Sequence, residues 1–154
     1  MDGTGIILGN KILDVTFIAW FIAQFYKVLS TCIIQKKIDM KRLFETGGMP
    51  SSHSSTVSCL STCIGIIYGK QSGYFAISVI LAVIVMYDAI GIRRAAGKHA
   101  GVLNRMIDKL SNKIGEMFKD EKLKELLGHT QMEVLAGMIL GIVVAFMFKN
   151  YLIS

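Results

Sequence analysis

The sequence predicts an all-α fold: a polytopic membrane helical bundle of four spans, with room for a fifth near the N-terminus, and a cytoplasmic amphipathic helical segment. Three observations predict it. Of the 154 residues, 53% are hydrophobic, and they fall in long blocks separated by charge. Pro50 is the single proline, and no Ser/Gly-rich run of the linker kind interrupts the chain. The formal net charge of +6 is gathered in two stretches, which reads as membrane topology and anionic-lipid contact rather than nucleic-acid binding. A single membrane-embedded domain over 1–154 is therefore expected, with the membrane as a partner and no nucleic acid.

Each element follows from the chain in order. The start carries no positively charged region and no small-residue cleavage site, so a removable signal peptide is not expected. Residues 5–13 form a short apolar run, read as a re-entrant or interfacial piece. Residues 15–34 are long enough for the first span, although Gln24 and Lys27 interrupt it. The next connection, 35–47, holds Lys36, Lys37, Lys41 and Arg42. Residues 54–68 are short and rich in Ser, Thr and Gly, which suits a helix packed inside the bundle. Residues 74–92 are the clearest span, and 134–152 are the last. Between them, 94–127 read as an amphipathic surface helix, with Ala96, Val102, Leu103, Ile107, Leu110 and Ile114 recurring among charges. The positive-inside rule puts both basic stretches in the cytoplasm. Cys32, Cys59 and Cys63 form no metal-ligand pattern and read as buried, reduced thiols.

Polar residues that carry chemistry form three clusters. The first is Gly47-Gly48-Met49-Pro50-Ser51-Ser52-His53-Ser54-Ser55, a tight loop opening a helix. Exposed N–H groups, hydroxyls and an imidazole at a helix start suit an anion. The second is Asp88 at the end of a span, followed by Arg93 and Arg94, whose forked donors match phosphate oxygens. The third is His129-Thr130-Gln131-Met132-Glu133, opening the last span. His129 and Glu133 are four apart and share a helix face, so the carboxylate can hold one imidazole nitrogen while the other attacks. His99 has no such partner and reads as solvent-facing. Each cluster alone also fits a blander reading: a Ser-rich cap, stop-transfer charge, an interfacial His. The hairpin order nonetheless carries all three to the same membrane face.

These residues resemble the type 2 phosphatidic acid phosphatase and vanadium haloperoxidase superfamily, whose motifs are K-x6-R-P, P-S-G-H and S-R-x5-H-x3-D. Pro50-Ser51-Ser52-His53 resembles the second motif, with Ser52 in place of Gly. The run from Gly128-His129 through Glu133 to Gly137 and Gly141 resembles the end of the third, with Glu133 in place of Asp. Together with Tyr87-Asp88-Ala89 and Gly91-Ile92-Arg93-Arg94, the pattern is similar to the divergent branch of that superfamily. No K-x6-R-P is present, and no Ser-Arg pair lies shortly before His129.

The resemblance implies roles. His129 would be the nucleophile, Glu133 its orienting carboxylate, and His53 the proton donor to the leaving group. Ser51, Ser52, Arg93 and Arg94 would bind phosphate oxygens. Lys41 and Arg42, with Lys36, Lys37 and Lys27 as further candidates, would replace the first motif's basic pair. No cofactor and no metal are expected. The leading expectation is an integral membrane phosphatase acting on a lipid or polyprenyl phosphate through a phosphohistidine. The alternative is a non-catalytic phospholipid- or phosphate-binding or transport protein that kept the pocket. A metal-assisted hydrolase using Asp88, Glu133 and His129 lacks a recognised ligand spacing. The small span count also points to a homo-oligomer.

Overall fold

Helix formation begins at Asn10, whose side-chain oxygen accepts from Ile12 N at 2.9 Å and Leu13 N at 3.2 Å. In the computed structural model, which describes residues 4–35, 48–114 and 129–154, this cap opens α1 (Lys11–Gln35). The helices α2 (Ser52–Tyr68), α3 (Gly73–Ile90), α4 (Ile92–Ile114), α5 (Gln131–Met147) and α6 (Lys149–Ile153) follow. No strand occurs among the described residues. The expected all-helical architecture is present. Two stretches, Lys11–Ser30 and Gly73–Lys109, are long and apolar enough to cross a membrane, and Gln131–Met147 is a shorter apolar helix.

The N-terminal apolar run forms no helix of its own. Residues 5–10 are not helical, and 11–13 are the first turn of α1. The Asp14 carboxylate explains this: it accepts from Leu8 N at 2.6 Å, Ile7 N at 3.2 Å and the Tyr151 hydroxyl at 2.6 Å. Those donors are satisfied by folding the loop back over the helix start rather than by a helix of their own.

α2 lies at the centre and packs against α1, α3 and α5. Its sequence permits this because its inward residues are small. Ser51, Ser54, Ser55, Cys59 and Cys63 are fully buried. On α1, Val15, Ala19, Ala23 and Lys27 repeat every fourth position and form one buried ridge. The two helices approach closely enough for Ser55 Oγ to donate to Ala19 O at 3.3 Å, and Cys59 Sγ contacts Val15 O at 3.6 Å. On α5, Gly137 and Gly141 meet α2 directly: a Cβ on Gly137 would overlap the Ser51 carbonyl oxygen, and one on Gly141 that of Ser55. This is the small-residue packing that brings helices together where lipid removes any hydrophobic drive between them. Cys59 and Cys63 are buried free thiols, as the sequence indicates. The Cys32 side chain lies outside the described residues.

The apolar bulk faces outward. Phe17, Phe21 and Phe25 on α1, Ile77, Ile80 and Ile84 on α3, and Ile139, Val143 and Phe146 on α5 are all exposed. A polar, small-residue interior with an apolar exterior is the pattern of a chain dissolved in lipid. The amphipathic segment expected over 94–127 is helical to Ile114 in α4. Its remainder lies outside the described residues.

Candidate functional site

Two backbone hydrogen bonds bring the three polar clusters to one end of the bundle. Ser51 N donates to Glu133 O at 2.9 Å, tying the start of α2 to the first turn of α5. His129 N donates to Ala89 O at 3.0 Å, tying the entry to α5 to the end of α3. The backbone of Arg93 and Arg94 stands one turn beyond Ala89, in the first turn of α4. The hairpin order required this grouping, and these contacts achieve it.

The His129–Glu133 pair is built by a helix cap. Thr130 caps α5: its hydroxyl accepts from Glu133 N at 3.3 Å, and Glu133 Oε2 accepts from Thr130 N at 3.1 Å. This reciprocal pair is a capping box. The same Oε2 lies 2.9 Å from His129 Nδ1. A carboxylate only accepts, so Nδ1 carries a proton, which in the neutral ring leaves the lone pair on Nε2. The arrangement explains Glu at a position where the resembling motif has Asp. A side chain at the third helical position must reach back to the cap and to the residue before it, and Glu has the extra methylene to do so. His129 is 2% exposed, so this geometry is set within the protein rather than by solvent.

His53 faces this pair from the first turn of α2. Its ring centroid is 6.2 Å from that of His129, with the planes at 61°. Ser51 caps the helix: its hydroxyl accepts from Ser54 N at 3.3 Å and from Ser54 Oγ at 3.0 Å. The Ser51 N–H and hydroxyl are thus engaged in holding α2 to itself and to α5. Ser51 thus positions the helix start, and its hydroxyl, which accepts in both of these bonds, keeps its own proton to donate. The amides of Ser52 and His53 stand in the first turn of α2, at its positive end.

Lys27, a further candidate for the missing basic pair, packs into this end of the bundle. The structure buries it at 3% exposure on α1, with Nζ donating to Ser52 Oγ at 3.3 Å. Glu133 is near enough to interact with its charge. A charge inside an apolar span was the available signal. Its distance of 25 positions from Ser52 hid the partner.

The remaining site candidates divide. Asp88 is half-buried near the end of α3. His99 is exposed, as expected. The side chains of Arg93 and Arg94, and all of Lys41 and Arg42, lie outside the described residues. Among the described residues, no cluster of His, Cys, Asp or Glu could hold a metal ion.

Comparison with known proteins gives a concordant result. A family model described as the divergent PAP2 family matches residues 8–144. A Bacillus subtilis (strain 168) protein described as uncharacterized membrane protein YuiD is 41% identical over 155 residues, covering 92% of this chain and 98% of that protein. No solved structure matches.

Proposed function

The chain belongs to the divergent PAP2 family of membrane proteins, and on that footing we propose that it is an integral membrane phosphatase using His129 as a covalent nucleophile. Its substrate is a phosphate monoester or diphosphate, lipid-linked because the site lies at the end of a lipid-facing bundle. The basic stretches assign that end to the cytoplasm. The observation that carries the reading is the His129–Glu133 pair, 2.9 Å apart, facing His53 across 6.2 Å at a helix start.

In the first step, the His129 Nε2 lone pair forms a bond to phosphorus as the bond from phosphorus to the ester oxygen breaks. His53, protonated, gives its proton to the departing oxygen. Glu133 stabilises the positive charge that develops on the His129 ring. In the second step, water attacks phosphorus, His53 takes its proton, and the N–P bond breaks to release inorganic phosphate. The Lys27 ammonium and the first amides of α2 offset the charge on the phosphoryl oxygens. Arg93 and Arg94 supply further cations from the start of α4.

Incubation with a labelled lipid phosphate, followed by quenching, tests the reading. An acid-labile, base-stable phosphoryl group on His129 is the expected product. Tight vanadate or phosphate binding, with neither labelled enzyme nor turnover of lipid phosphates, would support the phosphate-binding alternative instead.

Two variants separate the parts. Glu133→Gln keeps the capping box, since Gln serves it as well as Glu, but removes the charge behind the imidazole. Turnover is expected to fall by about 10²–10⁴-fold, as for a neutralised triad carboxylate, with thermal stability little changed. Wild-type kcat in that variant would remove Glu133 from the chemistry. Lys27→Met keeps the buried volume and deletes the ammonium. Loss of roughly 10²–10³-fold in kcat/KM is expected, the scale of one lost donor to a developing oxyanion. Some loss of stability is expected as well, because Ser52 Oγ and the Glu133 carboxylate lose their cationic neighbour, so kcat/KM is compared on the folded fraction. Unaltered kcat/KM would limit Lys27 to packing.

A further inference from the structure

The proposed chemistry uses the first turn of α4 and nothing beyond it. α3 has 18 residues, so at about 1.5 Å per residue it is roughly 27 Å long and matches one hydrocarbon core. The helix path breaks at Gly91, whose ψ of −80° departs from helical values. The backbone of Arg93 and Arg94 follows at once. α4 therefore begins at the membrane edge, on the side where Ala89 holds His129.

The two faces of α4 differ. Gly97, Ala100, Gly101 and Asn104 are buried and share one face. The opposite face carries Val102, Leu103 and Met106, exposed by 41%, 47% and 55%, with the exposed His99 one turn earlier on the same face. One edge of that ridge is lined by Lys98, Arg105 and Lys109, all exposed, while the exposed Asp108 lies toward the other side of the helix. Water is a poor solvent for contiguous large apolar side chains. A surface that accepts both the ridge and its cationic edge must be hydrocarbon bordered by negative charge. We propose that α4 lies along the leaflet beside the site. Val102, Leu103 and Met106 sit in the acyl boundary, and Lys98, Arg105 and Lys109 rest on the phosphates of anionic phospholipids. Charge complementarity selects this occupant over a neutral partner protein. It also gathers phosphate-bearing lipids beside the end of the bundle that holds the site.

A polarity-sensitive fluorophore attached through Leu103→Cys, with Cys32, Cys59 and Cys63 replaced by alanine, reads the docked state in reconstituted vesicles. In phosphatidylglycerol, blue-shifted emission is expected, quenched by nitroxide-bearing lipid and protected from iodide. Replacing Lys98, Arg105 and Lys109 together by Gln should lower the docked-to-undocked ratio about a hundredfold, from roughly fivefold per basic residue. Raised salt should weaken docking in the same direction. Hydrogen exchange on the unaltered chain gives a label-free reading, with the amides of 98–109 exchanging more slowly in phosphatidylglycerol than in phosphatidylcholine. Water-like emission in both lipids, or equal exchange in both, would overturn the proposal. A label shielded from lipid quencher and iodide alike would also overturn it, since protein would then cover the ridge.

Discussion

His129→Ala is expected to abolish phosphate release, with a loss of at least about 10⁴-fold, and to leave no acid-labile phosphoryl-enzyme. The size follows from what is removed. A positioned nucleophile converts a bimolecular attack into a unimolecular one, and no neighbouring group has matching geometry. His53 stands 6.2 Å away and carries no Glu at the same spacing. The variant should still fold, because the α5 cap is made by Thr130 and Glu133 rather than by the imidazole. Loss of the ring leaves Glu133 Oε2 bonded to Thr130 N. Activity and phosphoenzyme should therefore disappear while helix content and elution volume in detergent stay those of the wild type. Full turnover by the alanine variant would eliminate His129 as nucleophile and the covalent route with it.

Gly141→Val should cause the largest loss of stability among single substitutions between α2 and α5. A Cβ at Gly141 would overlap the Ser55 carbonyl oxygen and stand 2.8 Å from Cys59 N. Both obstacles are backbone of a buried helix, which cannot rotate aside as a side chain would. The helices must separate, and the destabilisation should reach the upper end of the overpacking range, about 3 kcal/mol or more. Gly73→Ala is the matched control, since a Cβ there meets nothing within 4 Å. Thermal unfolding in detergent should show a marked fall for Gly141→Val and almost none for Gly73→Ala. Equal midpoints for the two variants would mean that the close approach of α2 and α5 is not what holds the bundle.

How far the sequence foretold these features depended on the range of the interaction. The span at 74–92 was legible because its signal is local: an uninterrupted apolar run that became α3. His53, His129 and Glu133 were legible because their residue types are rare in apolar chains and their spacing fits a helix. The Thr130–Glu133 capping box was also present as a local pattern, and it accounts for Glu where Asp was expected. Lys27 was harder to place, since a lysine at 27 says nothing of Ser52 until two helices pack. The same holds for Gly137 and Gly141. Their four-residue spacing is visible in the chain, but their partners Ser51 and Ser55 lie more than eighty positions away. The partner of the Ser51 amide, Glu133 O, was likewise hidden until the helices packed. The basic candidates Lys41 and Arg42 remain sequence readings, because 36–47 fall outside the described residues.

Glu133 is bound in two directions. Its main-chain oxygen anchors the residue that starts α2, while its carboxylate steers the imidazole that precedes α5. The two halves of the site are therefore not independent instruments tuned separately. A shift of α5 along its axis displaces attacker and proton donor as one unit, so their alignment survives small movements of the surrounding lipid and fails all at once when that single turn unwinds.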